Sequence, residues 1–329
     1  MPMLSKWIQR NWYQPGMVLT LVLLPLTLLY CGIATVRRYA YQYKLLSQQT
    51  VGVPVIVVGN ISVGGTGKTP LVVAIVKWLT QQGYRPGIIS RGYGGNASHW
   101  PQAVTPQSVP AMVGDEAVLM AQRSGCPVYV GPDRVSAATA LLAANHCNVI
   151  VSDDGLQHYA LARNIEIAVI DGQRRFGNGL CLPAGPLREA AFRLKSVDLV
   201  VNNGGVGKNE ISMTLVPGGF HYLGDEGRVE SAAFFNGEKV HAVSGIGNNA
   251  RFFEQLKKLG INIQPHAYND HYSYTASDLE FGDNAPVIMT EKDAVKCRQF
   301  ANTDCWYLKV EAELDASFYH QLRKLLSQC

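Results

Sequence analysis

Charge is scarce in this chain and its cysteines follow no pattern, and both facts narrow what it can be. Only 16% of its 329 residues are Asp, Glu, Lys or Arg, and the formal charge of +4 is not gathered into basic runs. A nucleic-acid track needs clustered Lys and Arg to neutralise phosphates, so no nucleic-acid partner is expected. The seven cysteines, Cys31, Cys126, Cys147, Cys181, Cys297, Cys305 and Cys329, form no C-x-x-C pair and keep no metal-like spacing with histidine. They read as reduced, mostly buried thiols of a cytosolic compartment. The signature of a removable signal peptide is missing too, because no A-x-A-like site follows the first apolar run before Arg37-Arg38. Guanine specificity lacks its marks: Gly155 comes too soon after Asp153 for D-x-x-G, and Thr290-Glu291-Lys292-Asp293 has the wrong order for N/T-K-x-D.

What is present begins with a long apolar arm. Met17 to Val36 carries no charge, a length of about 20 residues that suffices for a helix to cross a hydrocarbon core. Trp7, Trp12, Tyr13, Tyr30, Tyr39 and Tyr41 flank it like an interfacial belt, with Lys6 and Arg10 before it and Arg37, Arg38 and Lys44 after it. Pro25 leaves open a kinked or partly inserted helix in place of a full span. The bias of basic residues toward the C-terminal side places the body of the protein in the cytosol.

The chain is organised around Pro54-Val-Ile-Val-Val-Gly-Asn-Ile-Ser62-Val-Gly64-Gly65-Thr66-Gly67-Lys68-Thr69-Pro70. A β-branched run stops at Gly59, a glycine-rich loop follows, and Lys68-Thr69 opens a helix over Leu71 to Leu79. This is a phosphate cradle: backbone N–H groups turn onto phosphate oxygens, Lys68 reaches the β- and γ-phosphates, and the Thr69 hydroxyl can ligate Mg²⁺. Ser62 stands where the strict pattern has glycine.

Downstream, strands and helices alternate, which implies a mostly parallel sheet with ligands at its C-terminal edge. The strand Pro86 to Ser90 ends in Arg91-Gly-Tyr93-Gly-Gly. Such a loop can grip an anionic or sugar substrate. Asp115 and Glu116 open the next helix, where carboxylates often serve only as caps. A strand over Val149 to Ser152 ends in Asp153-Asp154, the place of a Walker-B site that positions Mg²⁺. The long Gly/Pro-punctuated connection through Leu182-Pro-Ala-Gly-Pro-Leu-Arg188-Glu189 is expected to be functional. A composition shift over Asn202 to Asn209 reads as a linker to a second, smaller α/β unit. Asp270-His271-Tyr272 falls in a polar loop of that unit. The expected division is an anchor over 1–40, a P-loop core over 41–210, and the linker with the smaller lobe over 211–329.

Taken together, GGTGKTP (64–70), SRGYGG (90–95), VGDE (113–116), SDDGLQH (152–158), LPAGPLRE (182–189), SGIG (244–247), DHY (270–272) and TEKDAVK (290–296) resemble the tetraacyldisaccharide 4′-kinases of lipid A biosynthesis. The resemblance spans nearly the whole chain. It implies ATP-dependent phosphorylation, with Mg²⁺, of the 4′-hydroxyl of a tetraacylated glucosamine disaccharide 1-phosphate at the cytoplasmic face of a bacterial inner membrane. It implies that nucleotide lies between the two lobes, cradled by Ser62, Gly64, Gly65, Thr66, Gly67, Lys68 and Thr69, and that Asp115 and His271 assist the sugar hydroxyl. It places Arg91, Tyr93, Gln157, Arg188 and Glu189 toward the lipid substrate, and the metal would rest on Thr69, Asp153 and Asp154. No protein partner is indicated. The rival from another class is a membrane-associated P-loop ATPase switch, in which nucleotide state controls partner binding.

Overall fold

The computed structural model describes residues 2–225, 227–300 and 304–329, with side chains from residue 7 onward, so the Lys6 side chain lies outside the described ones. Two helices lead: α1, Pro2–Tyr13, and α2, Met17–Gln42. The first half of the body follows as β1 (Val55–Gly59), α3 (Lys68–Gln81), β2 (Pro86–Ser90), β3 (Gln102–Val104), α4 (Pro110–Val113), α5 (Asp115–Ser124), β4 (Val128–Val130), α6 (Arg134–Ala144), β5 (Val149–Asp153), β6 (Ile165–Asp171) and β7 (Leu199–Asn203). The rest comprises β8 (Ile211–Tyr222), β9 (Val229–Glu230), β10 (Lys239–Ser244), α7 (Asn249–Lys258), β11 (Asn262–Ala267), β12 (Val287–Thr290), α8 (Glu291–Cys297), β13 (Cys305–Leu314) and α9 (Ala316–Leu326).

Both halves share one 13-stranded sheet in the order β11-β10-β12-β13-β8-β7-β6-β1-β5-β2-β4-β3, with β9 beside β8. It is parallel except at β3·β4, β8·β9 and β8·β13. Because successive strand side chains point to opposite faces, Ile56 and Val58 of β1 join a core with α3, α5 and α9. Val55 and Val57 join another with α6. The parallel, doubly covered centre explains the unbroken apolar run of β1 and the complete burial of β5.

The structure redraws the expected linker. Asn202 and Asn203 are the last residues of β7, and Pro217-Gly-Gly lies inside β8, which pairs in parallel with β7 and antiparallel with β13. Periodicity hides β8 because it carries Pro and Gly and mixes half-buried with exposed positions; a register shift between Leu308 and Val310 in β13 absorbs the irregularity.

α2 is the one helix among the described residues long and apolar enough to cross a membrane, and most of it is exposed. The two leading helices nevertheless touch the body of the fold at several points, α1 through Trp12 and α2 through Thr27 and Arg37. The Trp12 indole donates to the Pro183 carbonyl at 2.9 Å, the Ala184 N–H donates to Thr27 Oγ1 at 3.0 Å, and Arg37 donates to the Gln157 carbonyl at 3.2 Å.

Candidate active site

The C-terminal ends of β1, β2 and β5 converge, and each delivers a loop. After β1 the chain runs through residues 60–67 into α3, with Gly67 as N-cap at a left-handed φ of 91°. A side chain there would be strained, and its Cβ would come within 2.3 Å of Asn203 Nδ2. The same Asn203 amide donates to the Thr66 carbonyl at 2.9 Å, so the tip of β7 holds the cradle from behind. Ser62 is buried and forms a bridge with Leu187, flanked by Val63 N–H to Pro186 O at 2.8 Å and Arg188 N–H to Ile61 O at 2.7 Å. The LPAGPLRE loop is therefore the second wall of the phosphate loop, and Ser62 departs from glycine where the backbone is extended and paired.

Lys68 opens α3 and its ammonium lies 3.4 Å from Asp154, whose other partner is Arg188 at 2.9 Å. Burial pushes the Asp154 carboxyl up, but Lys68 and Arg188 outweigh it and hold the group well below the usual carboxylate range. Asp153 stands in the opposite environment. It is almost fully buried, accepts from Ser90 Oγ at 3.2 Å through one oxygen, and its Oδ1 has no hydrogen-bond partner. Burial, with the Glu116 carboxylate adding repulsion, raises its pKa well above that of an ordinary aspartate. Thr69 follows Lys68 in the first turn of α3.

The opposite wall is built from two distant pieces of chain. Asp115 is the first residue of α5, 5% exposed, and its Oδ2 lies 3.2 Å from His271 Nδ1 in the loop after β11. Burial raises the Asp115 pKa, while the hydrogen bond from His271 and the nearby Lys292 and Lys296 lower it by more. Burial depresses His271, and the bond to Asp115 more than restores it, so the net direction is up. Tyr93 leans over the imidazole with ring centroids 4.9 Å apart, and the two line a cavity of about 150 Å³ with Pro110, Tyr274 and Lys296. The Tyr93 loop is fixed to the α4 turn by Asn96 N–H to Ala111 O at 2.9 Å. Sequence alone places His271 as a solvated loop residue; tertiary packing makes it half-buried and paired.

Of the residues expected toward the substrate, Arg91 and Tyr93 are exposed at the end of β2. Gln157 donates to the Asn60 carbonyl at 3.1 Å and to Glu189 at 2.8 Å, and Arg188 reaches its amide oxygen at 3.5 Å. Glu189 is 6% exposed and turned inward, shared among Gln157, Tyr159 and Arg193. It braces the loop from within.

Several site residues carry no role in the sequence reading. Arg174 donates to Gly65 O at 2.6 Å and Gly247 O at 3.0 Å while pairing with Asp171 at 3.0 Å, joining the cradle to the SGIG turn. Arg251 of α7 donates to Asn203 at 2.8 Å. Lys292 and Lys296 project from α8 beside Asp115, at 4.0 and 3.9 Å. Their i, i+4 spacing is the signal that could have placed them on one helical face.

A cationic phosphate cradle facing an aspartate pair, one buried and one half-buried, with a carboxylate held by imidazole on the far wall, defines a P-loop phosphotransferase acting on a hydroxyl. Comparison with known proteins narrows the class. A family model described as Tetraacyldisaccharide-1-P 4'-kinase matches residues 19–327. The Tetraacyldisaccharide 4'-kinase of Nitrosococcus oceani is 52% identical over 326 residues, 98% of this chain and 95% of the relative. That of Alkalilimnicola ehrlichii is 52% identical over 305 residues, 92% of each. The crystal structure of the "apo" form of LpxK from Aquifex aeolicus in complex with ATP superposes with a TM-score of 0.79 at 28% identity, over 94% of this chain and 99% of that one. The chain belongs to the tetraacyldisaccharide 4'-kinase family, and it is a kinase.

Proposed function

We propose that this kinase transfers the γ-phosphoryl group of ATP to the 4′-hydroxyl of a tetraacylated glucosamine disaccharide 1-phosphate, a lipid A precursor, at the cytoplasmic face of a bacterial inner membrane. The observation that carries this reading is the 3.2 Å pair of Asp115 and His271, brought from separate halves of the sheet to one cavity that Tyr93 and Lys296 also line. A sugar hydroxyl is a poor nucleophile and needs a base within hydrogen-bond reach plus in-line positioning. Asp115 accepts the hydroxyl proton through a carboxylate oxygen, and His271 orients that carboxylate. Arg91 and Tyr93, exposed at the same edge, hold the sugar and its acidic groups. Because the pair draws on both halves, their approach completes the base and excludes water, which limits futile hydrolysis.

The residues present fit one Mg²⁺: the unpartnered Oδ1 of a buried aspartate, a second carboxylate and a helix-terminal hydroxyl are hard oxygen donors. Thr69, Asp153 and Asp154 would hold it, and it would supply charge neutralisation at the β- and γ-phosphates. Lys68, now beside Asp154, has the stem length to turn to those phosphates.

The membrane reading rests on α2. Its contacts at Thr27 and Arg37 are ten residues, about 15 Å, apart along the helix, so a long segment lies against the body. Its outward face, with Leu21, Val22, Leu26, Leu29, Ile33 and Val36 exposed, would sink into the interface and bring the site to its acylated substrate.

The test is transfer of label from γ-labelled ATP to the lipid acceptor. Asp115→Ala and His271→Ala should each lower turnover by about 10²-fold or more, the usual worth of a positioned base. Wild-type turnover in either variant would remove the assignment. Release of free phosphate with no labelled lipid would favour an ATPase switch.

A further inference from the structure

Lys292 sits at the centre of the catalytic wall with every donor spent. Its ammonium lies 3.0 Å from Glu116 Oε1, 3.2 Å from Asp270 Oδ1 and 3.3 Å from His271 Nε2. A lysine ammonium has three N–H bonds and no lone pair, so three acceptors saturate it. The contact with His271 therefore has one sense: Nζ donates and Nε2 accepts. An imidazole nitrogen that accepts carries no proton, which leaves the ring proton on Nδ1, the atom 3.2 Å from Asp115 Oδ2.

We propose that Lys292 is a positioning residue for the Asp115–His271 pair: by donating to Nε2 it fixes the Nδ1–H tautomer that orients Asp115 and keeps the ring from taking a second proton. The inference rests on the assignment of Asp115 as base. It goes beyond the counter-ion role that Lys292 also has toward Asp115, because at 4.0 Å the ammonium is outside hydrogen-bond reach of that carboxylate and its directional contact is with the ring.

The chemistry follows from the alternatives. Around His271 stand Asp115 and Glu116 of α5, Asp270 of its own loop, and Lys292 and Lys296 of α8, with the Tyr93 ring over its face. Without the Lys292 donor, Nε2 is free to take a proton beside these carboxylates, and the ring becomes an imidazolium. An imidazolium–carboxylate pair makes Asp115 a weaker base for the sugar hydroxyl. With Lys292 in place its donation to Nε2 and its charge oppose the second proton that Asp115 and Asp270 favour, and the carboxylate keeps more of its basicity. During transfer the hydroxyl proton passes to Asp115 as the sugar oxygen–γ-phosphorus bond forms and the bond from the γ-phosphorus to the bridging oxygen of ATP breaks, releasing ADP, and no proton has to cross the ring, since Nε2 is occupied.

The geometry also explains why a lysine stands there. Lys292 is the second residue of α8, and it spans to α5 and to the 270–271 loop at once. Its grip on His271 is therefore set by the packing of α8 against α5, which Arg123 reinforces through Glu291.

The experiment pairs ¹⁵N-histidine NMR of the full-length enzyme with the pH dependence of kcat. The His271 resonances are assigned by their loss in His271→Gln. In the wild type at neutral pH, Nδ1 should be protonated and Nε2 unprotonated. In Lys292→Met, Nε2 should gain a proton and the acidic limb of kcat should move up by about one pH unit, the usual reach of one neighbouring charge. Lys292→Arg, which can still donate, should restore most of the wild-type profile. A protonated Nε2 in the wild type overturns the proposal even if Lys292→Met fails to fold. So does an unchanged tautomer in Lys292→Met, or a pH profile that keeps its position while only the plateau falls. Full activity in His271→Ala would instead remove the base assignment, an outcome the spectra do not share.

Discussion

Asp153 and Asp154 are adjacent in sequence and opposite in environment, and the difference is one of backbone direction. Asp153 ends β5 and points into the sheet, where burial raises its pKa and one oxygen has no partner. Asp154 turns out at a left-handed φ of 48° and meets Lys68 and Arg188. Replacing Lys68 or Asp153 by Ala should abolish most lipid phosphorylation. Asp133→Ala should leave turnover near wild type, because Asp133 caps α6 through Val135 and Ser136, a contact worth about 0.5–2 kcal/mol of stability, and otherwise faces His158 at 3.6 Å, away from the phosphate loop's own contacts. Equal activity losses would argue against the nucleotide site. A second residue-scale prediction concerns His158, which burial and the neighbouring Arg134 depress to about 4. A histidine depressed on folding binds its proton more readily in the unfolded chain. Its contribution to stability is thus complete above the unfolded value near 6.5 and is lost as pH falls from there toward 4. The difference in Tm between wild type and His158→Asn should therefore change over pH 6.5 to 4 and stay flat above it.

At the scale of elements, α2 is more than an adhesive. It bonds through Thr27 to the loop that walls the phosphate cradle and through Arg37 to the loop after the aspartate pair. A chain beginning at Tyr39 should be soluble without detergent and bind no vesicles. It should also exchange the Ala184 amide proton faster, since its acceptor, Thr27, is gone. Unchanged exchange would mean the helix only anchors. Most elements around the site were legible because their signals are local. A β-branched run, a glycine loop and Lys-Thr gave β1 and α3 to within a few residues, and an apolar run closed by Asp-Asp gave β5. β8 was not legible, since Pro217, Gly218 and Gly219 break its pattern and its stability comes from β13.

For the whole molecule, one continuous sheet runs through both halves and joins them at β8 and β13. Across that join the cradle meets the SGIG turn so closely that a Cβ on Gly247 would lie 2.7 Å from the Gly65 nitrogen. Arg174 ties the same two loops through their carbonyls. Arg174→Ala should free residues 244–247 to exchange amide protons faster and destabilise the fold by about 0.5–1.5 kcal/mol, the net worth of a typical hydrogen bond. Protection equal to wild type would show that the β8·β13 pairing alone holds the halves.

The sequence by itself determined the phosphate loop, the aspartate pair, the apolar arm and the family, because each depends on residues close together in the chain or on an ordered set of motifs. Only the tertiary structure decided that Asp115 meets His271 across 156 positions, that Lys292 grips the far nitrogen of that ring, that Glu189 turns inward and that one sheet runs through both halves. The physical reason is range. Propensity and periodicity act over a few residues, whereas the partner of a carboxylate, and with it the pKa and the chemistry, is chosen by packing between segments that no local pattern relates.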